Sequence, residues 1–483
     1  MSFPTNFTWG AASSAYQIEG AWNTDGRGPS IWDTYCHARP TEGGPAFNPI
    51  KPNVFQGHTG DVACDHYNRY KEDVAIMKSM GLMAYRFSLS WSRILPEGVG
   101  AVNAKGLDFY DRLVNELLAA GITPYITLFH WDYPEALFRR GGWLNRESVK
   151  WFADYTQVVA DRLGDRVKHW MTLNEPQVFL QFGHADAGNA PGLRLPTREL
   201  LVACHHALMS HGASVQVLRA RCKASGGAGG VGGVGGAQQI GYAPVCVTKY
   251  PASDSKQDQD AAIQSMGSIT ERNLWNNTWY ADAIAKGHYP EDGMRIFGAD
   301  APKAPTIQPG DMELISQKID FIGLNIYEGT PVRRAEDGKP ATVERQATHP
   351  TTAVRWPVEP KSLHWGPRYT YERYKLPVYI TENGMSGIDW VSMDGKVHDP
   401  QRIDFTRRYL LELREAIRAG SDIRGYFHWS ILDNFEWSQG YKERFGLVHV
   451  DYTTQKRTPK DSATWYSKAI ATNGQSLDSD PHS

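Results

Sequence analysis

The chain has 483 residues, 41% of them hydrophobic, and its 51 basic side chains nearly balance its 53 acidic ones. This composition is typical of a globular protein with a large core, and it excludes the strong charge that would attract nucleic acid or an anionic membrane. Because no basic start precedes an apolar segment and no apolar run is long enough to span a bilayer, we expect a cytoplasmic protein.

Eight strand-like segments, separated by helical patterns, recur along nearly the whole chain. The strands are predicted at residues 7–13, 84–89, 123–129, 169–173, 239–245, 321–325, 378–381 and 425–430. The clearest helices are predicted at residues 61–80, 104–120, 148–163, 197–221 and 404–419. This alternation indicates a parallel sheet, and eight strands are the number that closes a TIM barrel. We therefore predict the α/β class, with a single (β/α)8 barrel domain over residues 1–483.

Two stretches interrupt this alternation. The first, residues 226–236, consists of glycine with one alanine and two valines, but it opens no helix with Lys and Ser or Thr, so it does not fit a phosphate-binding loop. We interpret it as a flexible surface insertion near residues 225–237. The second, residues 333–364, has no clear period, and its position between the sixth and seventh strands predicts a wall of the functional site.

In a TIM barrel the reactive side chains collect at the C-terminal ends of the strands. Polar and aromatic residues lie at or just beyond nearly every one of these predicted ends. They are Gln17 and Glu19, Arg86, His130 and Trp131, Asn174 and Glu175, Asn325 and Tyr327, Glu382, and Trp429 with Glu436 and Trp437. Each alone has an ordinary explanation as a helix cap, an ion pair or a packing residue. A purely structural role does not explain their recurrence at the same end of the barrel.

Glu175 and Glu382 are two carboxylic acids in a group rich in amides and indoles. Cleavage of a glycosidic bond needs such a pair, with one carboxyl group protonated and the other ionised. Arg86 suits the ionised member, because a nearby guanidinium lowers the pKa of a carboxyl group.

Metal-dependent hydrolysis is the competing chemistry for such a cluster. The five cysteines are scattered, with no Cys-x-x-Cys pair, and no histidines have the spacing of metal ligands. We therefore expect no metal and no other cofactor, and we interpret the cysteines as buried or free thiols of a reducing compartment.

Four motifs lie in order along the chain. They are FTWGAASSAYQIEG at residues 7–20, TLNEP at 172–176, ITENG at 380–384, and WSILDNFEW at 429–437 followed by YKERFG at 441–446. Together they resemble glycoside hydrolase family 1, the β-glucosidase family, over almost the entire chain. The resemblance implies a small carbohydrate substrate, with a terminal β-D-glucosyl residue removed from cello-oligosaccharides or from aryl and alkyl β-glucosides. The family mechanism is retaining and passes through a covalent glycosyl-enzyme.

The resemblance also implies a role for each site residue. Glu175 becomes the general acid/base and Glu382 the nucleophile, while Arg86, Asn325 and Tyr327 hold and tune the nucleophile. The residues expected to bind the non-reducing sugar are Gln17, His130, Trp131, Asn174, Trp429, Glu436, Trp437 and Phe445. Retention further predicts that the two carboxyl groups lie about 5 to 5.5 Å apart.

Single positions weigh against two branches of the family. Myrosinases have Gln at the acid/base position, where this chain has Glu175. The 6-phospho-glycosidases replace the Glu-Trp pair by Ser, whereas Glu436 and Trp437 are present here, and a carboxylate would repel phosphate.

Departures from the family pattern lie on the leaving-group side. Most relatives have Trp directly after Asn-Glu-Pro, where this chain has Gln177, so one aromatic wall is expected to be missing. Relatives also have Gly before Trp356, where this chain has Arg355. We expect Trp356 to form the floor of the leaving-group site and His184 to supply a second wall.

Two alternative functions stay open. A non-catalytic sugar-binding protein of this family would keep the tryptophans and lose one carboxylate, but both carboxylates are present here. A transglycosidase would use the same covalent intermediate and pass the glycosyl group to a sugar or an alcohol instead of water.

Overall fold

The computed structural model describes residues 2–38, 53–224, 237–303 and 305–479. Eight parallel strands form a closed barrel in which each strand pairs with its neighbours along the chain and the first pairs with the last. These strands, β1 to β8 in chain order, are Thr8–Ala12, Ala84–Ser88, Thr123–Phe129, His169–Asn174, Gln239–Ala243, Phe321–Asn325, Val378–Asn383 and Ile423–Trp429. The predicted barrel is confirmed, and every predicted strand overlaps an observed one.

The interior of the barrel is filled by side chains. One buried apolar cluster takes a residue from each of the eight strands, which is the arrangement of a TIM-barrel core. Its strand members are Ala12, Ala84, Tyr125, Met171, Ala243, Phe321, Tyr379 and Phe427. A second and larger apolar cluster includes the buried faces of the surrounding helices. Because the barrel is packed rather than hollow, a ligand site is expected beyond the strand ends.

Helices surround the barrel. The described α-helices are Ala15–Ile18, Ile31–His37, His66–Ser79, Trp91–Ile94, Ala104–Ala119, Glu135–Phe138, Ser148–Leu163, Pro176–Leu180, Thr197–Ala224, Lys256–Gly267, Thr278–Lys286, Glu291–Phe297, Asp311–Ile315, Ser362–Tyr374, Pro400–Arg418 and Asp461–Ala471. Short 3-10 turns lie at Thr24–Gly26, Phe55–Gly57, Gly142–Leu144, Gly298–Asp300, Trp437–Gln439 and Gln475–Asp478, and a π-helical turn lies at Gln181–Ala185.

The five long helices predicted from the sequence are all present. Two begin at different residues from those predicted. The helix predicted from residue 61 begins at His66, because Asp65 before it has a left-handed φ of 52°. The helix predicted from residue 404 begins at Pro400, since proline fits the first turn of a helix. Within the described part of the chain, no helix is both long enough and apolar enough to cross a membrane.

Two small sheets lie outside the barrel. Val448–Val450 pairs with Arg457–Pro459, while Lys249–Pro251, Thr330–Arg334 and Pro340–Thr342 form a three-stranded sheet. Part of the segment 333–364, predicted to be irregular, therefore belongs to a sheet, because strands this short leave no readable period. The glycine-rich insertion predicted near residues 225–237 lies, apart from residue 237, outside the described residues.

Candidate active site

A pocket of about 570 Å³ opens where the strands end. Eleven of the sixteen predicted site residues line it. They are His130, Trp131, Glu175, Asn325, Tyr327, Trp356, Glu382, Trp429, Glu436, Trp437 and Phe445. A single large pocket with a few convergent polar groups is the usual form of a small-molecule site.

Glu382 lies in β7 and is held through both carboxylate oxygens. Arg86 of β2 donates a hydrogen bond to Oε1, and the Tyr327 hydroxyl donates to Oε2 at 2.7 Å. The residue is only 3% exposed. Burial raises the pKa of Glu382, whereas the charge of Arg86 and the hydrogen bond from Tyr327 lower it. The expected effect of Arg86 is therefore present but does not exceed the effect of burial.

Glu175 directly follows β4 and precedes the short helix Pro176–Leu180. Its Oε1 accepts a hydrogen bond from the side-chain amide of Asn325 at 2.9 Å. Burial raises the pKa of Glu175 well above its ordinary value, and the negative charge of Glu382 raises it further. The hydrogen bond from Asn325 lowers this pKa, but it offsets only part of the rise. Of the two carboxyl groups, Glu175 is therefore the one that keeps its proton more readily.

An amide network connects the two carboxyl groups. Arg86 donates to Oδ1 of Asn174, and the Asn325 amide donates to the same oxygen at 3.1 Å. The Oδ1 of Asn325 accepts a hydrogen bond from Thr381 at 2.7 Å, which fixes the orientation of its amide group. The carboxyl groups of Glu175 and Glu382 are thus held by one connected set of buried side chains.

A third carboxyl group, that of Glu436, lies in the same pocket. The side-chain amide of Gln17 donates to its Oε2 at 3.2 Å and also donates to the carbonyl of Phe435. Burial, followed by the charges of Glu382 and Glu443, raises the pKa of Glu436 to about 8. Several carboxyl groups in one pocket give it many acceptors for sugar hydroxyls.

Aromatic rings line the pocket beside these polar groups. His130 stacks on both Trp429 and Trp437, with ring centroids 5.8 and 5.9 Å apart. Near Tyr327, the ring centroid of Trp356 lies 5.1 Å from that of Tyr327 and 5.9 Å from that of Phe445. The rings supply flat apolar surfaces of the kind that bind the C–H faces of a sugar.

Three residues that line the pocket have a backbone conformation that favours glycine. Trp131, Glu175 and Trp437 have φ angles of 79°, 46° and 52°. Non-glycine residues seldom adopt this region, and such strain concentrates at functional sites, where the surrounding structure maintains it. At Glu175 this turn directs the chain from the barrel strand into the following helix.

Five predicted site residues do not line the pocket surface. Arg86, Asn174 and Gln17 reach it through their contacts with Glu382, Asn325 and Glu436. The prediction that His184 forms a second wall is wrong, because this residue is buried and does not line the pocket, and its Nδ1 contacts the carbonyl of Phe179 at 2.7 Å.

Gln177 is likewise fully buried and does not line the pocket. Its amide donates to the carbonyls of Val245 and Asn276 at 3.0 and 3.3 Å, and its Oε1 accepts from the Val245 amide at 3.3 Å. The prediction that Gln177 belongs to the leaving-group site is wrong, since the glutamine connects two loops instead.

The sequence interpretation missed much of the outer lining. The additional lining residues are Val178, Phe182, Asn189, Val245, Cys246, Val247, Thr248, Lys249, Trp275, Glu328, Gly329, Thr330, Ser438 and Gln439. Most lie on loops several residues beyond a strand end, where no periodic pattern shows their direction. Val354 also lines the pocket and lies in the segment 333–364, which was predicted to form a wall of the site. Among the described residues, no group of three or more His, Cys, Asp or Glu side chains could hold a metal ion.

Comparisons with known proteins agree along the whole chain. The family model of Glycosyl hydrolase family 1 matches residues 1–475. Beta-glucosidase A of Thermotoga maritima is 44% identical to this chain over 478 residues, and the match covers 98% of each chain. The 1,4-beta-D-glucan glucohydrolase of Thermotoga neapolitana is 44% identical over 477 residues, and the match covers 98% of this chain and 99% of the relative. The solved structure of the Thermotoga maritima beta-glucosidase in complex with deoxynojirimycin has a TM-score of 0.84 at 43% identity, covering 98% of this chain and 99% of its own.

Proposed function

The chain belongs to glycosyl hydrolase family 1, and from this membership we propose a retaining β-glucosidase with Glu382 as nucleophile and Glu175 as general acid/base. The substrates are cello-oligosaccharides or aryl and alkyl β-glucosides, from which a terminal β-D-glucosyl residue is removed. The names of the relatives, a beta-glucosidase and a glucan glucohydrolase, support this choice of sugar.

The observation that carries the assignment is the unequal environment of the two carboxyl groups. Glu382 accepts hydrogen bonds from a guanidinium and a phenol, which stabilise its ionised form. Glu175 accepts one hydrogen bond from a neutral amide, and burial together with the charge of Glu382 raises its pKa well above its ordinary value. One group is thus suited to attack as an anion and the other to donate a proton.

The first step forms a covalent bond to Glu382. A carboxylate oxygen of Glu382 attacks the anomeric carbon while Glu175 gives its proton to the glycosidic oxygen, and the bond between that carbon and oxygen breaks. The leaving group departs as a neutral alcohol. Asn174, whose side chain is held by Arg86 and Asn325, falls on the family position that contacts the 2-hydroxyl of the sugar.

The second step returns both groups to their starting state. In the covalent intermediate Glu382 is a neutral ester, so its charge no longer raises the pKa of Glu175. Glu175 is then ionised and takes a proton from water, whose oxygen attacks the anomeric carbon and releases Glu382. The sugar leaves with the β configuration of the substrate.

The test is an assay of 4-nitrophenyl β-glycosides and cellobiose, with the first-formed sugar observed by ¹H NMR. We expect hydrolysis of the glucoside and initial release of β-glucose, which later equilibrates with the α anomer. Initial release of α-glucose would overturn the retaining mechanism, and inactivity on every unphosphorylated β-glycoside would overturn the proposed substrate class. A cytoplasmic location also stays a proposal, supported by the scattered and buried cysteines.

A further inference from the structure

Tyr327 contacts the nucleophile from a loop rather than from a barrel strand. β6 ends at Asn325, so Tyr327 lies beyond the strand pairing that orders the barrel. Its hydroxyl nevertheless donates to Glu382 at 2.7 Å, and this contact depends on where the loop after β6 holds the ring. A displacement of about 1 Å in such a group can cost a large part of its effect on the reaction.

Three hydrogen bonds fix the backbone around Tyr327. The N–H of Ile326 donates to the carbonyl of Glu382 at 2.9 Å. The carbonyl of Ile326 accepts from the side-chain amide of Asn383 at 2.7 Å, and the carbonyl of Tyr327 accepts from the Tyr409 hydroxyl at 3.0 Å. Since Asn383 directly follows Glu382 in the chain, its amide connects the loop that carries the phenol to the strand that carries the nucleophile.

Asn383 is the last residue of β7 and is fully buried. Its Oδ1 accepts a hydrogen bond from the hydroxyl of Tyr426, in β8, at 2.9 Å. This contact fixes the oxygen end of the amide, so the NH2 end faces the carbonyl of Ile326. Because a buried polar group without a partner is costly, the amide is held firmly in this orientation. Asn383 does not line the pocket, so any role in the reaction must pass through its neighbours.

We propose that Asn383 is a positioning residue for the reaction and acts on Glu382 through Tyr327. By holding the peptide carbonyl that precedes Tyr327, it places the phenol where the carboxylate accepts its hydrogen bond. The inference rests on the proposed function, in which Glu382 is the nucleophile. It adds a residue whose amide contacts the loop and β8 rather than the substrate.

The test is a double-mutant cycle of Asn383→Ala and Tyr327→Phe, with kcat/KM measured for 4-nitrophenyl β-D-glucoside. Asn383→Ala should lower kcat/KM by about 5- to 30-fold, less than Tyr327→Phe does, because the phenol keeps part of its contact. In the Tyr327→Phe background there is no phenol to position, so Asn383→Ala should lower kcat/KM by no more than about twofold. A residue that only stabilises the fold would give the same factor in both backgrounds.

The pH profile supplies a second readout. A weaker contact with Tyr327 stabilises the ionised form of Glu382 less, so the acid limb of kcat/KM should move to higher pH in Asn383→Ala, as in Tyr327→Phe. The charged and titratable groups that face Glu382 are Arg86, Tyr327, Glu175 and Glu436. Among them, Tyr327 is the one that follows a backbone group held by Asn383.

Two further variants separate positioning from a general loss of structure. Tyr426→Phe keeps the ring and deletes the hydroxyl that orients the Asn383 amide, so it should give a smaller effect of the same kind, again absent in the Tyr327→Phe background. Asn103→Ala removes an amide that likewise donates to backbone carbonyls but does not line the pocket, and it should keep the wild-type kcat/KM and pH profile.

The same factor for Asn383→Ala in both backgrounds, or an acid limb that does not move, would overturn the positioning role. If Asn383→Ala does not fold, Tyr426→Phe is judged by the same two criteria. Inactivity of the wild type on the aryl glucoside would instead overturn the proposed function.

Discussion

The inner and outer halves of the pocket are built in different ways. In the inner half, Glu175 and Glu382 are almost fully buried at strand ends and are held by Arg86, Asn325 and Tyr327. In the outer half, the lining residues range from buried to exposed and lie on loops, turns and small sheets outside the barrel. We therefore expect the barrel to determine the reaction and the loops to determine which leaving groups are accepted. Inner substitutions should therefore reduce every reaction, and outer ones should change the ratio between substrates.

The largest effect is expected for Glu382→Gln, which keeps the shape of the side chain but removes the attacking carboxylate. Loss of a covalent nucleophile usually lowers kcat by about 10⁵-fold or more. The measurement is hydrolysis of 4-nitrophenyl β-D-glucoside, and Glu336→Gln, an exposed glutamate outside the pocket, serves as the control. Residual activity within 100-fold of the wild type would contradict the assignment of Glu382 as nucleophile.

Glu175→Ala should come second, and its effect should depend on the leaving group. Loss of a general acid costs about 10² to 10⁴-fold for cellobiose, whose alcohol leaving group needs a proton. A nitrophenolate leaves without one, so formation of the glycosyl-enzyme from an aryl glucoside should be reduced much less. Azide needs no general base and should restore turnover by attacking the intermediate to give β-glucosyl azide. Equal losses for both substrates, with no rescue by azide, would contradict the acid/base role.

Tyr327→Phe tests the inner half without removing a carboxyl group. It deletes one hydrogen bond to the ionised Glu382, which is worth about 1.5–3 kcal/mol, or roughly 10- to 150-fold in kcat/KM. Because this contact acts on the nucleophile, cellobiose, cellotriose and aryl glucosides should lose activity by similar factors. A loss confined to one class of leaving group would break the distinction between the two halves.

The coupling between the carboxyl groups predicts a pH effect. Glu175 must be protonated to act as an acid, so kcat/KM should fall as pH rises through its raised pKa, and it should fall at low pH as Glu382 becomes protonated. Replacing Glu382 by Gln removes a negative charge that raises the pKa of Glu175. The pKa of Glu175, followed by ¹³C NMR of labelled glutamate, should therefore be lower in that variant. An unchanged pKa would show that the two groups are not coupled.

The smallest effect is expected at Arg355, beside Trp356 in the outer half. Arg355 has a φ of 72°, a conformation that glycine adopts without steric cost. Arg355→Gly should raise the free energy of unfolding by up to about 1 kcal/mol, because the relief of strain is partly offset by the greater freedom of glycine in the unfolded chain. Urea unfolding measures this, and Arg194→Gly, at an exposed loop position without positive φ, should lower stability instead.

Most of the barrel and of the inner site could be predicted from the sequence. Strand patterns are strong in a buried parallel sheet, and closure of the barrel brings all strand ends to one side. The strand-end residues Glu175, Asn325 and Glu382 could therefore be expected to meet, although they are far apart in the chain. The separation of about 5 to 5.5 Å between the two carboxyl groups stays a prediction.

The outer site could not be predicted in the same way. Gln177 and His184 follow Glu175 closely in sequence, but the left-handed turn at Glu175 and the helical turns after it direct both side chains away from the pocket. Lys249 and Trp275 lie on short loops whose direction depends on long-range contacts. Proximity in sequence was therefore misleading here.

The most direct test of the account is to identify the residue that becomes glycosylated. A 2-deoxy-2-fluoro-β-D-glucoside with a good leaving group should form a long-lived glycosyl-enzyme, because the fluorine destabilises the positive charge of both transition states and the good leaving group helps only the first step. Peptide mass spectrometry should then find one 2-fluoroglucosyl group on Glu382 and none in Glu382→Gln. A label on any other residue, or inactivation without a covalent adduct, would contradict the assignment of Glu382 as nucleophile.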